Sequence, residues 1–363
     1  MSLIKVKSRG TDNVTGGGGK NVIINGAMQV AQRGTSFASV GNVYTLDRFE
    51  FYKQNSGAAF TVTQSSVTDL GGFPNALKVD CTTADTSLAS NEQGYVSHKL
   101  EGQNLQRFQK GYATALGFTL SFYVKTNKTG LYTVSMFDRD NTRKVNGSYT
   151  VANANWNRYT INFPADTTGK FDDDNASSLE IFFNLYAGAD TNTGTLSTAW
   201  AASADAGSTT GQVNFADNTN NDWEITGIQL EPGNSATDFE HRSFDSEMED
   251  CERYFQTYSD TLWQGTNEHA ANYSLYLDGY FRKKMRATPT ATIVGTVTIG
   301  RPQVGVTQRP NSIGGLNKEG FYKCNWPSSG TYGGSLGTHG DAYYRMTVGA
   351  GPTNRLDFSS EPN

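Results

Sequence analysis

The sequence predicts an all-β chain: an N-terminal arm, a jelly-roll-like antiparallel β-sandwich, a short linker helix and a C-terminal β domain. Three observations carry this. Short runs rich in β-branched and aromatic residues recur along the 363 residues. Clusters of Gly, Asn and Asp such as "KTNKTG" and "DTTGKFDDDN" punctuate them, as turns between strands require. A helical period is sustained at one place only, after two thirds of the chain. Composition agrees: 12% aromatic, 18% charged and 39 glycines suit strands with polar loops, and exclude intrinsic disorder for most of the chain.

The elements follow in order. Residues 1–20 form an arm and spacer. Lys5, Lys7 and Arg9 lie beside Leu3, Ile4 and Val6, and "TDNVTGGGGK" then supplies four consecutive glycines whose ordering costs entropy. The arm reads either as a solvated tail or as a basic segment that docks on a partner. Residues 21–240 carry about ten strand-like runs, from "NVIING" and "YTLDRFEFY" to "LEIFFNLYAG" and "DWEITGIQLEPG". Phe118, Leu120, Phe122 and Val124 share one parity, as do Tyr132, Val134 and Met136, which marks strands with one buried face. No strict repeat is present, so two antiparallel sheets packed face to face are expected. The small-residue segment 190–212 reads as a surface excursion.

Residues 241–258 form the linker helix. Phe244, Met248, Cys251 and Phe255 recur at helical spacing as one apolar stripe, expected to lie against a partner surface such as another copy of the chain. Ser246 with Glu249 has capping-box spacing, and Ser243 is a rival cap. Residues 259–363 return to strands, with long Gly-rich loops that carry Trp326, Tyr332, His339 and Tyr343. Trp263 sits in similar loop-like text. Rings among Ser, Asn and Gly can stack on a sugar face, or they can pack locally or between subunits.

Several function classes are disfavoured. A net charge of −5 argues against nucleic-acid binding. No run approaches the length of a membrane span, so no membrane insertion is expected. Three widely separated cysteines form neither a metal pattern nor a disulfide framework, and four histidines match no metal motif. "TGGGGK" lacks the spacing of a phosphate loop. "DDDN", Asp172–Asn175, reads as a charged turn or as oxygen ligands for a hard cation. A pair of glycosidase carboxylates is not excluded by counting.

The stretch "WEITGIQLEPGNSATDFEHRSFDSEMEDCERYF" resembles a segment of phage tail fibres and related virion receptor-binding proteins. In them a G-x-Q-L-E-x-G strand runs into A-T-x-F-E-x-R and a short helix ending near C-x-R-Y-F. The matching residues are Gly227, Gln229, Leu230, Glu231, Gly233, Ala236, Thr237, Phe239, Glu240, Arg242, Cys251, Arg253, Tyr254 and Phe255. "NVIINGAMQVAQRGTS" and "FRKKMRATPTATI" are similar to flanking pieces of the same proteins; the last seventy or so residues match nothing. The resemblance implies a jelly-roll similar to carbohydrate-binding modules, a homotrimer, no catalysis, no cofactor beyond a structural Ca²⁺, and a place in the virion after synthesis in host cytoplasm. On that reading Lys5, Lys7 and Arg9 attach the arm to a tail adaptor or nozzle protein. Phe239, Arg242, Phe244, Met248, Cys251 and Phe255 form the joint and trimer contact. Trp326, Tyr332, His339, Tyr343 and Trp263 meet a host cell-surface glycan. Two alternatives stay open: a tail glycan depolymerase, and a head fibre or decoration protein without a ligand.

Overall fold

A computed structural model describes residues 19–259, 262–269, 272–301, 306–308, 310, 312–325, 344–348 and 354–362. Thirteen strands build the larger part: β1 Ser36–Phe37, β2 Val43–Tyr44, β3 Phe49–Gln54, β4 Ala59–Ser66, β5 Asn75–Thr83, β6 Gln93–Glu101, β7 Phe118–Thr126, β8 Gly130–Asp138, β9 Arg143–Val151, β10 Asn157–Phe163, β11 Ser177–Ala187, β12 Ala201–Ala202 and β13 Asp222–Pro232. They pair as two antiparallel sheets, ordered β1-β4-β5-β13-β7-β10 and β12-β9-β8-β11-β6-β3-β2. Consecutive strands often lie in different sheets, as in the jelly-roll-like sandwich expected. The core between the sheets is filled by one phase of each strand: Phe49 and Phe51, Leu120, Phe122 and Val124, Val134 and Met136, Ile181 and Phe183.

One expected strand is absent. "NVIING" forms a turn, because Asn25 and Met28 adopt positive φ and the Asn25 side chain bonds the Val30 amide and carbonyl in place of a ladder. The segment still docks, with Val22 N donating to Leu230 O.

Strand β13 explains the motif that led to the resemblance. Trp223 and Ile225 face the core, and so do Ile228 and Leu230, which have the opposite parity. The switch occurs at a bulge where the pairing with β7 slips between Thr226 and Gln229. Gly227 sits there at φ 62°, and a Cβ would lie 2.9 Å from the Phe73 and Tyr123 rings. The switch turns Gln229 and Glu231 away from the core and onto the following loop. Gln229 Oε1 accepts from the Glu240 amide (2.9 Å), and Glu231 accepts from the Thr237 amide (2.7 Å) and hydroxyl (2.9 Å). Phe239 packs edge-on against Phe73 at 5.1 Å. Glu240 accepts from the Asn21 amide (2.9 Å), which ties the loop to the start of the sandwich.

The helix, α1, spans Phe244–Glu252 and is capped by Ser243, whose Oγ accepts from the Ser246 amide; the Ser246–Glu249 box does not form. The expected apolar stripe is only partly a helix face. Cys251 is fully buried within its own chain, Met248 is half-buried, and Phe244 is exposed. Phe255 lies beyond the helix on strand β14, Phe255–Tyr258, because pairing with residues 356–359 draws the chain into a sheet. The buried side of α1 is partly polar: Glu247 accepts from the Asn25 amide (2.6 Å) and pairs with Arg242 (3.2 Å), which also bonds Ser246 and Asp250.

The remaining strands are β15 Leu262–His269, β16 Asn272–Tyr280, β17 Thr290–Val294, β18 Val297–Arg301, β19 Val306–Gln308, β20 Ser312–Gly314, β21 Gly320–Asn325, β22 Tyr344–Val348 and β23 Arg355–Ser359. Among the described residues they form the sheets β14-β23-β17 and β19-β18-β22-β15-β16-β21-β20. A second core, including Tyr258, Trp263, Phe281, Phe321, Leu356 and Phe358, lies within this part.

Residues 360–362 lock this part to the sandwich. Glu361 pairs with Arg48 and with Arg33 (3.0 Å). Arg48 is almost wholly buried, donates also to Lys99 O, and lies 3.5 Å from the Tyr254 ring centre. Tyr44 Oη donates to Pro362 O (2.8 Å). Arg286 donates to Asn175 O (2.7 Å) and Ser360 O (2.8 Å), and Arg253 forks onto Glu101 at 2.9 and 2.7 Å.

Two predictions follow from this packing. Glu361→Ala leaves Arg48 buried without its counter-charge and lowers stability by about 3–5 kcal/mol. Glu361→Leu combined with Arg48→Met restores much of that loss; chemical denaturation of the three proteins reads both. The second concerns His98, whose Nε2 lies 3.2 Å from Ile24 O and whose Nδ1 has no protein partner. Burial, and then Arg48, hold its pKa well below the ordinary 6.5. The unfolded chain therefore takes up a proton near pH 6.5 that the folded chain refuses. The His98 contribution is complete above that pH and falls by roughly 1.4 kcal/mol per unit below it. Denaturation at pH 7.5 and 5.5 should show His98→Gln losing less stability on acidification than the wild type.

Candidate functional site

Strand alternation also builds a groove on the outer face of the sheet that contains β3, β6, β8, β9 and β11. The phase opposite the core presents Glu50 and Tyr52 on β3, Gln93, Tyr95 and Lys99 on β6, Glu180, Phe182 and Asn184 on β11, Ser135 and Phe137 on β8, and Lys144 on β9. An outward phase with four aromatic strand positions, Tyr52, Tyr95, Phe137 and Phe182, is unusual for a solvated face, where polar residues normally alternate with core residues. One wall is the 190–212 excursion, through Thr191, Ser203, Asp205, Ser208 and Thr209. The groove is open to solvent and encloses about 320 Å³.

The rings are positioned by register. Tyr52 and Tyr95 are direct cross-strand partners. They stack at 4.7 Å with an interplanar angle of 11°. Phe182, on the next strand, meets Tyr95 edge-on at 4.7 Å. All three are half-buried, so each keeps surface toward the groove. Burial, then the Glu180 carboxylate, pushes the Tyr95 phenol up, so it stays a neutral hydrogen-bonding group.

Charge pairing fixes the polar floor. Lys99 bonds Glu50 at 2.8 Å and lies 3.9 Å from Glu180, and Arg139 bonds Glu180 at 2.7 Å. Burial outweighs these two cations at Glu180 and raises its pKa above the usual carboxylate value. Asn184 donates to Thr133 Oγ1 (3.1 Å) and Ser135 Oγ (3.3 Å). Lys99 also reaches Pro362 O at 3.4 Å, so one end of the groove touches the segment that locks the two parts of the chain together.

The residues singled out from sequence fare differently. Trp326, Tyr332, His339 and Tyr343 lie outside the described residues, as do Lys5, Lys7 and Arg9. Trp263 is not a loop ring. It sits on β15, is buried, and packs edge-on against Tyr258 (5.5 Å) and Phe321 (5.3 Å), so it serves the second core and has no face free for a sugar. The Asp172–Asn175 turn is a docking point: Asn175 Nδ2 donates to Arg286 O (2.5 Å), and Asp174 Oδ1 caps the Ala176 amide (2.8 Å). Among the described residues no three His, Cys, Asp or Glu side chains are grouped to hold a metal ion. A nearby oxygen cage is filled by a side chain, since Lys110 Nζ meets Asp138 (2.5 Å), Asp166 (3.1 Å), Thr168 O (3.0 Å) and Gly169 O (2.8 Å).

Sequence reasoning missed Tyr52, Tyr95 and Phe182. The signal was present: in "FEFY" and "LEIFFNLY" aromatic residues occupy both phases, which marks a strand covered on both sides.

No protein-family model matches the sequence, and no curated protein matches it significantly. Solved structures do align with it. A CBM4 structure is 14% identical over 57% of this chain and 97% of its own, with a TM-score of 0.29. A family 11 carbohydrate-binding module from Clostridium thermocellum, in complex with a β-1,3-1,4-mixed-linked tetrasaccharide, is 14% identical over 56% of this chain and 98% of its own (TM-score 0.30). An arabinose-bound GH51 α-L-arabinofuranosidase is 12% identical over 50% of this chain (TM-score 0.28), and the match spans only 23% of the enzyme. These scores are low, and the sandwich is assigned from its own strand pairing.

Proposed function

We propose that the sandwich binds a glycan in the groove of the β3–β6–β11 sheet, and that the protein is a trimeric virion fibre component using this groove for host-surface attachment. The observation that carries the first part is the Tyr52–Tyr95–Phe182 ring ladder beside amide, hydroxyl and carboxylate groups in an open channel. Tyr52 and Tyr95 stack on each other, so a sugar would pack its apolar face on the surface that these half-buried rings leave exposed, and its hydroxyls would bond the polar groups. The second part rests on the β13–α1 segment and its likeness to tail-fibre joints. A single shallow groove binds weakly, and three copies per fibre supply avidity.

The groove is read as binding without cleaving. Glu50 and Glu180 face it together, as a hydrolase pair would, but Lys99 and Arg139 hold them in ion pairs. A glycosidase needs one carboxyl free to donate a proton and the other free to attack or to activate water.

Tyr52→Ala and Tyr95→Ala should each weaken retention on the polysaccharides the wild type binds by about tenfold, in line with a lost stacking contact of 0.5–1.5 kcal/mol plus its buried area. Retardation in polysaccharide-containing gels reads the binding, and melting temperatures check that the fold is intact. Unchanged retention in both variants would remove the groove reading. New reducing ends released from a bound polysaccharide would overturn the non-catalytic part. Light scattering should give three times the mass of one chain; a monomer at micromolar concentration would remove the trimer.

A further inference from the structure

Three cations line the groove, and two of them are neutralised. Lys99 is held by Glu50 and Glu180, and Arg139 by Glu180. Lys144 is different. It projects from β9 in the outward phase, next to buried Val145, opposite Phe137 on β8 and Ala201 on β12. Its side chain is half-buried between the Phe137 ring, whose centre is 5.9 Å from Nζ, and the wall of the excursion. Among the described residues its one hydrogen bond is a long contact of 3.4 Å to Ser208 Oγ, and that hydroxyl donates its own proton to Ala204 O at 2.8 Å. No carboxylate of the described residues forms an ion pair with it. Asp205, on the exposed rim, acts on it as a negative charge without forming an ion pair. An ammonium has three protons to donate. Here at most one is used, and that one poorly, while the surroundings withdraw water.

Holding a charge in this state is costly, and burial lowers the Lys144 pKa despite Asp205. A structural role would be filled better by an apolar residue or by a paired one. Every other charged group of the groove floor has its partner.

We propose that Lys144 receives an anionic group of the ligand, so that the groove takes an acidic saccharide, one bearing carboxylates such as a uronic acid, with the charged unit at the β8–β9 end and neutral ring faces along Tyr52, Tyr95 and Phe182. This rests on the glycan reading of the same groove. A ligand carboxylate would restore the missing counter-charge and accept the unused protons in a partly desolvated setting, where charge-assisted hydrogen bonds are strongest.

The test compares each acidic polymer with itself after its charge is removed. Polygalacturonate, alginate and hyaluronan are run beside their carboxyl-reduced forms, against the full chain and against Lys144→Met, Lys144→Arg and Tyr52→Ala. The wild type should bind at least one acidic polymer on the order of tenfold more tightly than its reduced form. Lys144→Met should bind both forms alike, at the affinity of the reduced form, and Lys144→Arg should keep the preference. Lys144→Met should melt no lower than the wild type, because it removes an unpaired charge and keeps the apolar stem. Equal binding of native and reduced polymers by the wild type would overturn the acidic preference and leave the glycan reading standing. A preference that survives in Lys144→Met would overturn the assignment to Lys144. Failure of all polymers, neutral glycans included, or binding indifferent to Tyr52→Ala, would remove the groove reading and this inference with it.

Discussion

The buried guanidinium of Arg48 is the constraint on which the arrangement of the chain depends. It sits in the sandwich between β2 and β3, yet its counter-charge, Glu361, comes from the far end of the sequence, and the ring against it, Tyr254, comes from the end of the helix. A second guanidinium nitrogen, Nη2, donates to Lys99 O, while the buried Nε has no hydrogen-bond partner among the described residues. A charge withdrawn from water holds only where every partner is in place. The linker helix, residues 360–362 and the β2–β3 turn are therefore fixed together or not at all. Chain entropy opposes closing so long a loop, and the closure is spread over several polar ties, Arg33–Glu361, Arg253–Glu101 and Arg286–Asn175 among them.

The same lock bears on the groove through Lys99. Its backbone carbonyl accepts from Arg48, while its side chain holds Glu50 and touches Pro362 O. Strand β6 thus carries His98 into the core and Lys99 outward, one residue apart. The first is kept neutral by burial, and the second is paired with Glu50. The lock and the groove floor thus share one residue, Lys99.

Much of the fold was legible in the sequence. Where one strand face is apolar and the other polar, parity alone assigns the core, as at Phe118–Val124 and Tyr132–Met136. Turn clusters of Gly, Asn and Asp located most strand ends. Three kinds of feature were not legible. The first was "NVIING", apolar and β-branched, which is turned by the left-handed conformations of Asn25 and Met28, a preference expressed only against the loop that Asn25 bonds. The second was Phe255, which continues a helical stripe on paper but is claimed by a sheet partner a hundred residues away. The third was Trp263, whose Ser, Gly and Thr neighbours resemble loop text although the ring is core. Long-range pairing decided the second and third of these, and local pattern cannot see it.

The groove lay between legible and hidden. Aromatic residues in both phases of β3 and β11 announce a second covered face, but not what covers it; the 190–212 excursion supplies one wall and leaves the rest to solvent. Register then decides whether those rings meet. Tyr52 and Tyr95 are opposed because β3 and β6 pair without a slip, whereas β13 slips once, at Gly227, to turn Gln229 and Glu231 onto the joint. One device, strand register, places rings in the groove on one sheet and fixes the exit of the chain on the other. An unbroken ladder keeps the Tyr52 and Tyr95 rings opposed, and a single bulge redirects the chain where it leaves the sheet.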